Sequence, residues 1–142
     1  MARPVILARF IAGTYRIMWK TLVGIAIAGG VGTLARYGLS TAIDRKFEHN
    51  FYGTLAANAV GCLLFGLILA WVTARLAPDH PAKLILLTGF MGAFTTFSTY
   101  AYLSHDLLGR EQWGAALGHI LAHNVLGIGL FIAGLALGNK LA

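Results

Sequence analysis

Charge is scarce in this chain. Of 142 residues only 11% are charged, and five acids stand against eleven lysines and arginines. Soluble domains carry roughly 25% charged residues, so this chain lacks the polar surface of a water-facing globule or a disordered tail. A single cysteine, Cys62, cannot close an internal disulfide, which argues against a disulfide-stapled secreted module. The acids Asp44, Glu48, Asp79, Asp106 and Glu111 all fall at the ends of apolar runs or between them. A proton-coupled exporter of this size needs a carboxylate inside the membrane, so that class is disfavoured. Proline is also sparse, at 3. What abounds is apolar surface, 58% of residues with a mean hydropathy of +0.73, and glycine, at 18. Glycine-rich, proline-poor apolar segments suit closely packed transmembrane helices. The formal net charge of +6 sits on residues flanking the apolar runs. It therefore reads as membrane-surface charge, with no nucleic-acid partner expected.

A spanning helix needs roughly 20 mainly apolar residues. Four runs qualify: Thr21 to Ile43, Phe51 to Ala74, Ala82 to Leu103 and Trp113 to Gly138. Short polar connections separate them and make sequential neighbours antiparallel. The expected fold is an all-α membrane protein of four transmembrane helices, residues 21–142. It is preceded by a basic tail, residues 1–20, whose Arg3, Arg9, Arg16 and Lys20 alternate with apolar residues as in an interfacial helix. No small-residue cleavage site precedes the first span, so the tail is not read as a removed signal peptide.

The tail, the second connection and the C-terminus share one side and carry seven basic residues: Arg3, Arg9, Arg16, Lys20, Arg75, Lys83 and Lys140. The other side carries three, Arg45, Lys46 and Arg110. Without the tail the balance is even, so the four-span body has almost no preferred orientation. Either the tail fixes one orientation or the chain inserts both ways. Dual insertion would permit an antiparallel dimer whose copies act as inverted repeats about a midplane site.

Inside the spans the polar residues are few. Arg36, about two-thirds along the first span, either snorkels to the interface or supplies positive charge to an anion vestibule. Asn58 is a neutral donor and acceptor in the second span, either interhelical glue or an anion contact. The third span contains Thr88-Gly89-Phe90-Met91-Gly92-Ala93-Phe94-Thr95-Thr96-Phe97-Ser98-Thr99-Tyr100. Its glycines and hydroxyls weaken a helix at mid-span, so a mid-membrane break is expected. Such a break survives only where protein buries it or it lines a cavity, and its freed carbonyls can hold a small cation. Phe94, Phe97 and Tyr100 recur at intervals of three, close to one helical face. His119 and His123 lie four apart on one face of the fourth span, placed to hydrogen-bond between helices, line a vestibule or bind metal.

From about Gly24 to Gly138 these residues resemble the CrcB/Fluc family of fluoride channels. The resemblance rests on Gly29-Gly30-Val31-Gly32-Thr33-Leu34-Ala35-Arg36-Tyr37, on Gly53-Thr54-Leu55-Ala56-Ala57-Asn58-Ala59-Val60-Gly61, and above all on the stretch from Gly89 to Tyr100. That last stretch is close to the family signature GFxGGxTTFSTF. The resemblance implies a multi-pass protein of the bacterial cell membrane, assembled as an antiparallel dual-topology homodimer. It implies two passive fluoride pathways that export cytoplasmic fluoride and exclude chloride, with no enzymatic activity. It also implies a structural central Na+ held by the backbone carbonyls of Gly92 and Thr95. By motif position Phe97 and Tyr100 are the aromatic pair along the fluoride path. Asn58, Ser98, Thr99 and Asn124 are its polar contacts, and Arg36 is the vestibule charge.

The implied chemistry is coherent. Fluoride is strongly hydrated, and a path must replace that water without trapping the ion. Ring edges, which carry partial positive charge, and side-chain donors offer weak repeated contacts. Backbone carbonyls suit a hard cation. The chain departs from the family pattern at Tyr100, where phenylalanine is usual, at Ala93 in place of a second glycine, and at Leu103 in place of glutamate. The fourth span after Gly127 reads Ile128-Gly129-Leu130-Phe131-Ile132, without the usual hydroxyl track. A non-conducting membrane interaction subunit, or one half of a heterodimeric channel, is the competing expectation.

Overall fold

A computed structural model of the chain describes the backbone of residues 3–47 and 50–142, and the side chains of residues 18–47 and 51–142. Glu48 and His49, and the side chains of Arg3, Arg9 and Arg16, lie outside the described residues. The described residues are helical throughout, apart from short turns. Helix α1 runs Arg3–Phe47 and α2 Asn50–Arg75. The third span is built from α3 (Pro81–Lys83), a π-helical segment (Leu84–Met91), α4 (Gly92–Phe94) and, after an interruption, α5 (Phe97–Gly109). Helix α6 covers Trp113–Leu141. Among the described residues four helical stretches are long and apolar enough to cross a membrane: Met18–Phe47, Phe51–Arg75, Pro81–Gly109 and Trp113–Leu141. They contain the four runs anticipated above, with a turn or so added at some ends.

Local chemistry sets the boundaries. Asp44, near the end of α1, accepts the Gly53 backbone N–H at 2.8 Å and ties α1 to the start of α2. Pro81 starts α3 at a position where its missing N–H costs nothing, and His80 caps it by accepting the Ala82 N–H at 3.2 Å. Between α5 and α6 the chain turns at Glu111, a non-glycine residue with φ of 58°.

The tightest packing joins α2 to α6. A Cβ on Gly66 would fall on the Phe131 carbonyl, and one on Gly134 on the Leu63 carbonyl. Only glycine permits this backbone approach, which replaces side-chain burial as the source of cohesion in an apolar solvent. Helix α1 lies against the π-helical segment in the same way, with Gly89 seated on Ile25 and Ala28. The buried core is consequently small: Ala57, Ala70, Val72, Met91, Phe94 and Ala116. Ile27, Val31 and Leu34 on α1 and Val125, Ile128 and Ile132 on α6 are exposed. Such continuous apolar faces are stable against lipid or another protein surface, not against water.

Candidate functional site

The third span breaks where its hydroxyl run begins. Phe94 ends α4, and Thr95 (φ −90°, ψ 156°) and Thr96 (φ −143°, ψ 107°) are extended before α5 resumes at Phe97. The approach to the break is already irregular. In the π-helical segment the Gly92 N–H donates to the Leu87 carbonyl, five residues back. Such over-wide turns recur at functional sites, and nothing in the composition of this stretch announced one.

Every buried backbone group released by the break needs a partner. Thr96 is served from α2. The Asn58 Nδ2 donates to the Thr96 carbonyl at 3.1 Å, and the Thr96 N–H donates to Asn58 Oδ1 at 2.8 Å. Ala93 is served from α1, where Arg36 Nε donates to its carbonyl at 3.2 Å. Thr95 N–H and Oγ1 both turn back to the Met91 carbonyl, each at 3.2 Å. Thr96 Oγ1 accepts the Thr99 N–H at 3.2 Å, capping α5, and lies 3.0 Å from Thr99 Oγ1 and 3.2 Å from Ser98 Oγ. Three carbonyls remain. Among the described residues no hydrogen bond is seen to the Gly92, Phe94 or Thr95 oxygen. The break also sets the negative end of one helix beside the positive end of the next, three residues apart along the chain.

Beside the break a groove of about 420 Å³ opens between α2, α5 and α6. Of the residues picked from sequence, Asn58, Thr95, Phe97, Tyr100 and Asn124 line it. Phe97 and Tyr100 form a ring pair with centroids 5.3 Å apart, tilted by 55°. Asn124 Nδ2 donates to Tyr100 Oη at 3.3 Å and to the Ile120 carbonyl at 2.8 Å. The Tyr100 hydroxyl accepts there, which leaves its own proton free to donate. Ser98, Thr99 and Gly92 are not in the lining, and Arg36 sits on the α1 side of the break. One spacing argument fails. Phe94 is 5% exposed and stacks on Phe90, whereas Phe97 is 78% exposed, because the extended residues between them reset the helical phase. The lining also contains Cys62, Phe65, His123 and Phe131, which sequence reasoning did not assign to the path.

A four-span bundle with a broken third span, uncommitted carbonyls at the break and an aromatic, donor-bearing groove is the architecture of a membrane passage rather than of an enzyme cleft. The family model described as CrcB-like protein, Camphor Resistance (CrcB), matches residues 23–135. The chain belongs to the CrcB family and is a multi-pass membrane protein. It is similar to the fluoride-specific ion channel FluC of Nitrosococcus oceani, 44% identical over 112 residues, covering 78% of this chain and 90% of the relative. The protein of the same name from Maridesulfovibrio salexigens is 43% identical over 116 residues, covering 81% and 92%. That from Solidesulfovibrio magneticus is 43% identical over 123 residues, covering 86% and 98%.

Proposed function

We propose that this chain is a subunit of a fluoride-specific ion channel. It works as an antiparallel dual-topology homodimer in the bacterial cell membrane and lets cytoplasmic fluoride leave passively. Residues 21–142 form the channel body, and residues 1–20 are a basic tail at the membrane surface. The relatives named as fluoride channels, which align over nearly their whole length, support the ion. The observation that carries the reading is the break itself, held open from two sides by Asn58 and Arg36 next to the aromatic groove.

The residues divide the work. Phe97 and Tyr100 present ring edges to the anion, and the Tyr100 hydroxyl adds a donor. Asn58 keeps the break in register, and one of its two Nδ2 hydrogens remains for an anion. Asn124 orients Tyr100 from α6. Ser98 and Thr99 supply hydroxyls at the positive end of α5, where negative charge is favoured. Arg36 contributes a fixed positive charge while bonding Ala93. A narrow path of weak donors passes a small anion and penalises chloride.

The Gly92 and Thr95 carbonyls fit a structural Na+. Among the described residues they have no hydrogen-bond partner; they sit at a helix end and are hard oxygen donors. Bound there, the ion would neutralise two exposed carbonyl dipoles and join the breaks of two subunits. Reconstitution into proteoliposomes tests the function. Fluoride efflux well above protein-free vesicles, with chloride retained, is expected. A folded, reconstituted protein that releases neither ion overturns the proposal.

A further inference from the structure

Four rings meet where α6 crosses α5 and the start of α2. The His119 ring lies 4.3 Å from Phe51, 5.3 Å from Tyr100 and 4.2 Å from His123, between centroids. Tyr100 and His123 are 4.7 Å apart. His119 is fully buried.

Hydrogen bonds fix the tautomers of both histidines. His123 Nδ1 lies 3.1 Å from the His119 carbonyl, and a carbonyl only accepts, so Nδ1 carries the proton. Ser104 donates its hydroxyl proton to the Tyr100 carbonyl at 2.8 Å. It must therefore accept from His119 Nδ1, at 3.1 Å. Both ε nitrogens are left as bare lone pairs. Among the described residues each is buried and has no partner. Two unmet acceptors on neighbouring rings are costly, and a cation relieves the one it binds. A proton is the smallest candidate. Added at either ε nitrogen, it leaves both Nδ1 hydrogen bonds in place, and the Phe51 and Tyr100 rings are suited to a neighbouring positive charge. At this separation repulsion admits one proton, not two.

His123 also lines the groove that contains Asn58, Phe97 and Tyr100. We propose that the His119–His123 pair is a proton-controlled binding element for a small anion in that groove. With one proton aboard, it sets a unit positive charge against the path. Neutral, it presents only lone pairs and leaves the path weaker. The inference rests on the fluoride-channel reading and adds the proton as its regulator.

No charge among the described residues competes at this spot. From α5 the pair meets the Tyr100 hydroxyl, with Ser104 beside it. From α2 it meets the Phe51 ring and, along the groove, the Cys62 thiol. On α6 the adjacent polar group is the Asn124 amide. Asp106 is engaged elsewhere, with Arg110 at 3.0 Å.

Nitrogen NMR on the full chain with labelled histidines, in lipid nanodiscs, tests this directly. At about pH 8 both residues should show the Nδ1–H tautomer, and the pair should take up a single proton as the pH is lowered. Replacing sodium chloride by sodium fluoride should favour the protonated form, because linkage is reciprocal. The factor should be roughly tenfold, the scale of a unit charge a few ångströms from an anion in a medium of intermediate polarity. Single-channel fluoride current should rise by a similar factor over the same range, and stay flat in the His119→Gln/His123→Gln variant. If that variant does not fold, the NMR titration of the unmodified chain decides. An Nε2–H tautomer, no proton uptake, or uptake indifferent to fluoride overturns the proposal. A chain that conducts at no pH, yet whose titration still responds to fluoride, sinks the channel reading and supports this one.

Discussion

The Asn58 side chain replaces a missing stretch of helix. Its amide donates to the Thr96 carbonyl at 3.1 Å and accepts the Thr96 N–H at 2.8 Å, so one residue of α2 closes both backbone valences that the break opens at Thr96. Asn58→Ala removes both bonds at once. Each group left unpaired should cost about 1–3 kcal/mol. Asn58→Asp keeps the acceptor and loses the donor. Thermal denaturation in detergent should rank unmodified above Asp above Ala, and fluoride efflux from Asn58→Ala should fall to the protein-free background.

Arg36 separates two kinds of contribution. A vestibule needs only its charge, whereas the bond to the Ala93 carbonyl needs a guanidinium Nε at 3.2 Å. Lysine preserves the charge but not the planar donor. Efflux should therefore drop in Arg36→Lys as well as in Arg36→Gln, with Gln the lower of the two. Full activity of Arg36→Lys would assign the residue to charge alone.

Glycines differ sharply in what they tolerate. Gly134 has the Leu63 carbonyl and the Leu67 nitrogen where a Cβ would go, while around Gly129 nothing lies within 4 Å. Gly134→Val should force α2 and α6 apart at a cost of about 1–3 kcal/mol or more. The expected readout is aggregation or a lowered melting temperature in size-exclusion and thermal assays. Gly129→Ala should leave the subunit unchanged. Loss of dimer in chemical cross-linking of an intact Gly129→Ala subunit would locate Gly129 at a subunit interface.

These contrasts show which parts of the molecule were legible in the sequence. The four spans were, because hydrocarbon thickness dictates their length and polar residues mark their ends. The break was, because Gly92, Thr95 and Thr96 weaken a helix wherever they stand. Asn58 stood out as a lone amide in hydrocarbon, glue or anion contact, but its pairing with Thr96 at the break was not legible. What stayed hidden depends on the relative register of helices. Ser104 meets His119, and His123 enters the groove, only because α2, α5 and α6 settle at depths fixed by glycine contacts such as that at Gly134. The π-helical turns of Leu84–Met91 were hidden too, since an apolar run reads the same in either helix. For the same reason Phe94 and Phe97 looked alike until the extended residues between them were in place.

Removing sodium should destabilise the protein if the Gly92 and Thr95 carbonyls hold it. A ligand that binds only the folded state adds about 2.7 kcal/mol at 100 times its dissociation constant. Exchange of Na+ for a bulky organic cation should lower the melting temperature, and restoring Na+ should recover it. Thr95→Val removes the hydroxyl, which bonds Met91, but keeps the carbonyl, so its sodium dependence should persist. A melting temperature indifferent to sodium would remove the ion from the proposal.

Phe97 offers the cleanest separation of conduction from packing. Its ring is 78% exposed in the single chain and touches Tyr100 at a centroid distance of 5.3 Å, so it contributes little to the subunit's own core. Phe94, at 5% exposure, is the opposite case. Phe94→Ala should cost about 3–5 kcal/mol by emptying the core behind the break. Phe97→Ile keeps apolar volume but removes the ring edge that an anion would meet. It should leave folding and the dimer intact in size-exclusion chromatography while abolishing fluoride efflux. If Phe97→Ile instead dissolves the dimer and spares flux in the fraction that remains assembled, the ring is a packing element and the path lies elsewhere.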